Sequence, residues 1–146
     1  MVGKHVIIDL YDVDPNIMAN INGNDILTNK WNNLLKEKLT NANVNCLNIS
    51  WHNFDYNGAF TALYLLSESH LSIHTWPEKK YIALDIFTCG DSDIDLITNF
   101  MIQYFNPGKK EIKKIYRGIE NSNDKLKTFT VNNHFDLKSM DSVLYY

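Results

Sequence analysis

Only two cysteines occur in the 146 residues, Cys46 and Cys89, and neither stands in a CxxC or zinc-finger spacing. That excludes a disulfide-stapled scaffold and a cysteine-rich structural zinc site, and it makes a reducing compartment the default. An excess of positive charge is also missing: 14 basic against 17 acidic residues leave a net charge of −3. The basic residues are spread along the chain except for "GKKEIKK" (108–114), which reads as a solvated face or strand edge. A nucleic-acid partner is therefore not expected. There is no long hydrophobic run either. The opening "MVGKHVIIDLYDVD" holds a short apolar stretch closed by acids, which fits neither a signal peptide nor a membrane span. The expectation is a cytoplasmic protein with no membrane partner.

What is present is an ordinary globular composition, 45% hydrophobic and 21% charged, in a chain long enough for one core and too short for two. The segment "HVIIDLY" (5–11) predicts a first strand. A loop is expected around Pro15 and Gly23, followed by an amphipathic helix over 25–39 with Ile26, Leu27, Trp31, Leu34, Leu35 and Leu39 as its apolar stripe. "VNCLNISWH" (44–52) alternates, with Leu47, Ile49 and Trp51 on one face and Cys46, Asn48 and Ser50 on the other. Strands are predicted at 61–66, 70–76 and 81–89, the last two joined by "PEKK". A second helix over 92–105, capped by Asp91 or Ser92, carries Ile94, Ile97, Phe100, Met101, Tyr104 and Phe105 and ends at "NPG". Closing strands are predicted at 111–119 and 126–131, with no element assigned to the last dozen residues. The order implies an α+β fold, an antiparallel sheet with helices on one face, in a single domain over 1–146.

The stretch "YLLSESHLSIHTWPEKKYIALDIFTCG" (64–90) concentrates the reactive side chains on what reads as buried sheet. Residues two apart share a strand face, so His70, Ser72 and His74 point one way and Leu71, Ile73 and Thr75 the other. The following strand adds Asp85, Thr88 and Cys89. Polar residues on one face also suit a plain half-wetted strand. A Ser-His-Asp hydrolase built from Ser69, His74 and Asp85 lacks a GxSxG elbow and a glycine-rich oxyanion segment. A zinc site from His70, His74 and Cys89 has suitable ligand types, but HxxxH on a strand is weak spacing for it.

"SESHLSIHTWPE" followed by "ALDIFTCG" strongly resembles the small prokaryotic-type S-adenosylmethionine decarboxylases, pyruvoyl enzymes of polyamine and spermidine synthesis. The resemblance is close over 64–90 and looser elsewhere, where "GKH" (3–5), the first helix, "WHNF" (51–54) and the helix after "TCG" fall in the family's order. It implies that Ser69 attacks the carbonyl of Glu68, that the chain splits autocatalytically into 1–68 (β chain) and 69–146 (α chain), and that Ser69 becomes a pyruvoyl group. It also implies that His74 removes the α-proton during elimination, a task suited to an imidazole titrating near neutrality. Cys89 matches the cysteine that returns a proton to the substrate after carbon dioxide leaves. Decarboxylation would run through a Schiff base on the pyruvoyl carbonyl, with no metal or pyridoxal phosphate needed. Cys46 reads as packing.

Further implications concern partners and substrate. Two processed protomers would pair their sheets as an αββα sandwich, giving a homodimer or a heterotetramer of two α and two β chains. Phe54 matches an aromatic that stacks on adenine in the family, and Trp76 and Glu78 of the nearby "WPE" are candidates for further nucleoside contacts. Two departures stand out. Thr61 replaces a serine that supports processing, eight residues before Ser69, and the loop "NFDYNGAFT" (53–61) lacks the family's proline and carries one extra residue. Asp55 occupies a position usually apolar, and a carboxylate there could instead pair with the distal cation of ornithine or arginine. Ornithine or arginine decarboxylation is the alternative activity, and an uncut regulatory pseudoenzyme is a further one.

Overall fold

The computed structural model describes residues 2–118 in full, together with the backbone of 127–132 and 144–145. Eight antiparallel strands form one sheet in the order β2-β3-β4-β5-β1-β6-β7-β8. They span Gly3–Tyr11 (β1), Cys46–Asn53 (β2), Phe60–Leu66 (β3), Ser69–Trp76 (β4), Tyr81–Cys89 (β5), Lys109–Arg117 (β6), Lys127–Asn132 (β7) and Leu144–Tyr145 (β8). Among the described residues three helices, α1 (Pro15–Asn22), α2 (Asp25–Asn41) and α3 (Ile94–Phe105), cover one face. The expected α+β architecture is the one observed, with one helix more than the sequence predicted.

The added helix lies where a loop around Pro15 was expected. The Asp14 carboxylate accepts the Asn16 N–H at 2.9 Å, and Pro15 sits at the first helical position, where its missing N–H costs nothing. Met18 and Ile21, three apart, then bury completely against the sheet. Asp-Pro ahead of an apolar pair was thus a helix start and not only a turn.

Alternation along β1 puts Val6, Ile8 and Leu10 fully into the core and leaves His5, Ile7, Asp9 and Tyr11 on the opposite face. In α2 the buried stripe is Trp31, Leu35 and Leu39. Ile26, expected in that stripe, is 78% exposed. It lies five residues before Trp31, roughly 140° round the helix from it, and so turns to solvent. Leu27 and Leu34 are half-buried at the stripe's margins.

The face assignment in β2 also needs correction. The β2–β3 register shifts between Cys46 and Asn48, so Leu47 is an extra residue in a bulge and is 63% exposed. The bulge returns Cys46 to the side of Ile49 and Trp51, where all three pack on the core. The cap of α3 is Asp93, whose carboxylate accepts the Leu96 N–H at 3.0 Å, in place of Asp91 or Ser92. Ser92 instead donates its hydroxyl to the Cys89 carbonyl at 3.3 Å. The helix ends, as expected at "NPG", with Asn106 in the left-handed conformation at φ +45°.

The two sides of the sheet differ sharply. Ala62, Tyr64 and Leu66 of β3 are buried under the helices, while Leu63 and Leu65 between them are 49% and 54% exposed. The uncovered face carries Thr61, His74 and Cys89, whereas Ser69 pairs with Leu66 and Thr88 of the covered face. No helix among the described residues is long and apolar enough to cross a membrane.

Candidate active site

The β3–β4 hairpin closes on two residues, Ser67 and Glu68, between the paired Leu66 and Ser69. At its exit Ser69 has φ +151°, a backbone region that residues with a Cβ avoid. Strain of this kind costs on the order of 1–3 kcal/mol and persists only where surrounding contacts enforce it. Those contacts are visible. The Glu68 carbonyl oxygen accepts the Cys89 backbone N–H at 3.2 Å and the Cys89 thiol at 3.0 Å. Ser67 N–H donates to the Asn45 carbonyl at 3.0 Å, and Asn45 N–H donates to the Glu68 carboxylate at 3.1 Å. Hydrogen bonding from Ser67 holds that carboxyl below its ordinary range, with Asn45 N–H adding to it.

A carbonyl with two donors on its oxygen can bear the negative charge of a tetrahedral adduct. The next residue, Ser69, carries a hydroxyl.

A second cluster lies farther along β4. Thr61 and His74 are partners in the β3–β4 ladder, and Thr61 Oγ1 is 3.1 Å from His74 Nδ1. The His74 ring leans on Trp76, with centroids 6.2 Å apart, and Trp76 stacks on Tyr81 at 5.2 Å. An open cavity of about 400 Å³ adjoins this cluster, lined among others by Phe54, Tyr56, Thr61, His74, Trp76 and Glu78. Phe54, Tyr56 and Trp76 are all large and exposed. Aromatic faces around an open cleft suit a flat heteroaromatic or cationic ligand.

The loop that carries Phe54 and Tyr56 is held firmly. Phe54 N–H donates to the Ala59 carbonyl at 3.0 Å and Ala59 N–H to the Tyr56 carbonyl at 2.8 Å. The buried Thr75 hydroxyl donates to the Gly58 carbonyl at 2.6 Å and accepts the Phe60 N–H at 2.9 Å. Gly58 has φ +89°, and a Cβ there would come within 3.1 Å of Met18 and Pro77, so the turn is seated against α1 and the 3-10 turn Pro77–Lys79.

The expected site residues therefore fall into two groups. Glu68, Ser69 and Cys89 come together, and Thr61, His74, Phe54, Trp76 and Glu78 come together. The two groups do not meet within one chain: Ser69 and His74 are five residues apart on one extended strand, roughly 17 Å. Asp55 is exposed and is not among the residues lining the cavity. Its neighbour Tyr56 is, a residue that alternation and spacing could not single out because it sits in an irregular loop. Asp85 does not serve His74. It accepts from His5 Nε2 at 2.9 Å, beside the rings of His70 and Phe87. Among the described residues no three His, Cys, Asp or Glu side chains gather as a metal site, so His70, His74 and Cys89 form none.

Comparison with known proteins bears on all of these positions together. The S-adenosylmethionine decarboxylase family profile matches residues 4–118, which include both clusters. The chain belongs to this family. A crystal structure of the adenosylmethionine decarboxylase from Aquifex aeolicus superposes with a TM-score of 0.69 at 30% identity, covering 85% of this chain and 97% of that one. The S-adenosylmethionine decarboxylase proenzyme 2 of Bacillus cereus is 39% identical over 118 residues, 80% of this chain and 89% of the relative. The S-adenosylmethionine decarboxylase proenzyme of Parasynechococcus marenigrum is 46% identical over 91 residues, 62% of this chain and 65% of the relative. Membership of the S-adenosylmethionine decarboxylase family thus rests on a match along most of the chain, beyond the 64–90 stretch that first carried the resemblance.

Proposed function

We propose that this chain is a self-cleaving, pyruvoyl-dependent decarboxylase acting on S-adenosylmethionine. The observation that carries the reading is the Glu68 carbonyl held by both the N–H and the thiol of Cys89, directly before a serine at φ +151°. Two relatives named as proenzymes agree with a chain that must be cut to become active.

The Ser69 hydroxyl adds to the Glu68 carbonyl carbon and the charge on oxygen falls against the Cys89 donors. The carbon–nitrogen bond then breaks, giving an ester and a free amine. A base next removes the Ser69 α-proton, and the ester oxygen departs with residues 1–68 as the Glu68 carboxylate. The dehydroalanine left on residue 69 takes up water and loses ammonia, giving the pyruvoyl group. When formed, that group supplies an electron sink for loss of the substrate's carboxylate. The residues present fit it: the Cys89 thiol beside residue 69 is placed to hold a proton for the product carbon.

The aromatic cavity supports the nucleoside substrate. Phe54, Tyr56 and Trp76 offer ring faces for adenine or the sulfonium, and Glu78 offers a carboxylate for ribose hydroxyls. The ornithine and arginine alternative was motivated by Asp55, which does not line this cavity. His74, as the base that takes the α-proton, would have to come from a second copy, since roughly 17 Å separates it from Ser69 along its own strand. The uncovered sheet face, with Leu63 and Leu65 exposed, supports pairing of two protomers there as an αββα sandwich.

The test is intact mass of the purified chain followed by carbon dioxide release from carboxyl-labelled S-adenosylmethionine, ornithine and arginine. The expected result is two fragments split at Glu68–Ser69 and release from the nucleoside alone. A single uncut chain, or release only from an amino acid, would overturn the reading.

A further inference from the structure

Thr88 is fully buried, and its hydroxyl oxygen has no hydrogen-bond partner among the described residues. A hydroxyl kept from water without a partner is destabilising, and valine would fill the same space without that penalty. Thr75 and Thr98, the other buried threonines among the described residues, both spend their hydroxyls on backbone carbonyls. Thr88 is the exception, and its position is not arbitrary.

In the β4–β5 ladder Thr88 stands directly opposite Ser69. Side chains facing each other across an antiparallel pair have Cβ atoms about 4.5–5.5 Å apart, a gap that two hydroxyls bridge with one hydrogen bond. The next residue, Cys89, holds the Glu68 carbonyl oxygen through its N–H and thiol. Residues 88 and 89 therefore flank the two atoms that must react: Thr88 faces the nucleophile's residue and Cys89 holds the electrophile.

We propose that Thr88 is a positioning residue for chain cleavage, its oxygen accepting a hydrogen bond from the Ser69 hydroxyl as Ser69 turns to attack Glu68. The bond fixes the Ser69 rotamer with a lone pair on the Glu68 carbon. As the oxygen–carbon bond forms, the carbonyl electron pair moves onto the oxygen held by Cys89. When the carbon–nitrogen bond breaks, the proton lost by Ser69 ends on the freed amine, and Thr88 keeps its own proton throughout. The inference rests on the self-cleavage reading above and extends it to a fully buried residue outside the cavity lining.

The test compares Thr88→Val, which keeps the shape and removes the hydroxyl, with Thr88→Ser, which keeps the hydroxyl and removes a methyl. Cleavage is followed by intact mass from freshly synthesised full-length chain, with melting temperature measured in parallel. We expect Thr88→Val to melt at or above the wild-type temperature yet to cut at least about tenfold more slowly, and Thr88→Ser to recover most of the rate. Cutting of Thr88→Val at the wild-type rate would overturn the proposal, as would equal slowing by both substitutions, which would mark a packing role. Should Thr88→Val not fold, Thr88→Ala against Thr88→Ser gives the same contrast. An uncut wild-type chain would bring down the self-cleavage reading itself, an outcome separate from any ranking of the variants.

Discussion

Cys89 grips the Glu68 carbonyl oxygen twice, through its backbone N–H at 3.2 Å and its thiol at 3.0 Å. The pair spans 21 positions of sequence and joins the end of β5 to the β3–β4 turn. One of the two donors is side chain and the other is backbone, and that division makes them separable by mutation.

Replacing Cys89 with alanine should slow cleavage without abolishing it, because the backbone N–H stays on the Glu68 oxygen. Loss of one oxyanion donor commonly costs about 10²–10³ in rate. Carbon dioxide release by the cut Cys89→Ala protein should fall further still, since no thiol remains beside residue 69. Full release by that variant would remove Cys89 from the proton-donor role. Ser69→Ala, with no nucleophile, should give one unbroken mass under all conditions.

Separation of Ser69 from His74 predicts complementation between defective chains. A His74→Ala chain keeps Ser69 and Cys89, and a Ser69→Ala chain keeps Thr61 and His74. Each alone should stay uncut. Co-expressed with distinguishable tags, the His74→Ala chain should be cut and the Ser69→Ala chain should not. Absence of cutting in the mixture, with dimers present, would confine the site to one chain.

At the cavity, Trp76→Ala and Tyr56→Ala should raise KM for S-adenosylmethionine about tenfold, and Tyr56→Ala should leave cleavage of the chain intact. Base-on-ring stacking is worth about 1–3 kcal/mol per contact in alanine substitutions, and Trp76, whose ring leans on His74, is the one of the two that bears on cleavage as well. Tyr56→Phe, which keeps the ring, should stay near the wild-type value. Asp55→Asn, at an exposed site outside the cavity, should change KM little.

A stability prediction concerns the helix-covered side. Trp31 Nε1 donates to the Tyr64 hydroxyl at 3.1 Å, and that hydroxyl donates to the Asn32 side-chain oxygen at 2.7 Å. Tyr64→Phe strands the buried indole N–H and should cost about 1–3 kcal/mol in denaturant unfolding. Burial pushes the Tyr64 hydroxyl well above the ordinary tyrosine value of 10.0. The folded state therefore holds this proton more tightly than the unfolded state does. Its contribution is complete below pH 10 and is lost as pH rises beyond it. Wild-type stability measured from pH 9 upward should fall more steeply than that of Tyr64→Phe.

How far the chain could be read residue by residue depended on periodicity. Regular elements were legible: β1, β3, β4, β5 and α3 follow from alternation at two or spacing at three and four, and the structure repeats them within a residue or two. Errors arose where one local feature broke the period. Leu47 in the β2 bulge moved Cys46 to the face of Ile49 and Trp51 and turned its own side chain out, and Pro15 opened a short helix in what resembled a loop. Tyr56 escaped notice because irregular backbone has no period from which to infer where a side chain points.

By itself the sequence determined the chemistry on offer: Glu68-Ser69 at a hairpin, His74 and Cys89 on the flanking strands, and an apolar pattern that commits one sheet face to helices. Those are local facts, set by residue type and by the two-residue repeat of a strand. Tertiary structure alone decided which groups meet. Strand pairing brought Cys89 onto the Glu68 oxygen and Thr88 opposite Ser69, and it gave Asp85 to His5. Cross-strand register depends on how turns and the core seat one strand against the next, so residues 21 positions apart can touch while Ser69 and His74, five apart on one extended strand, stay far from each other.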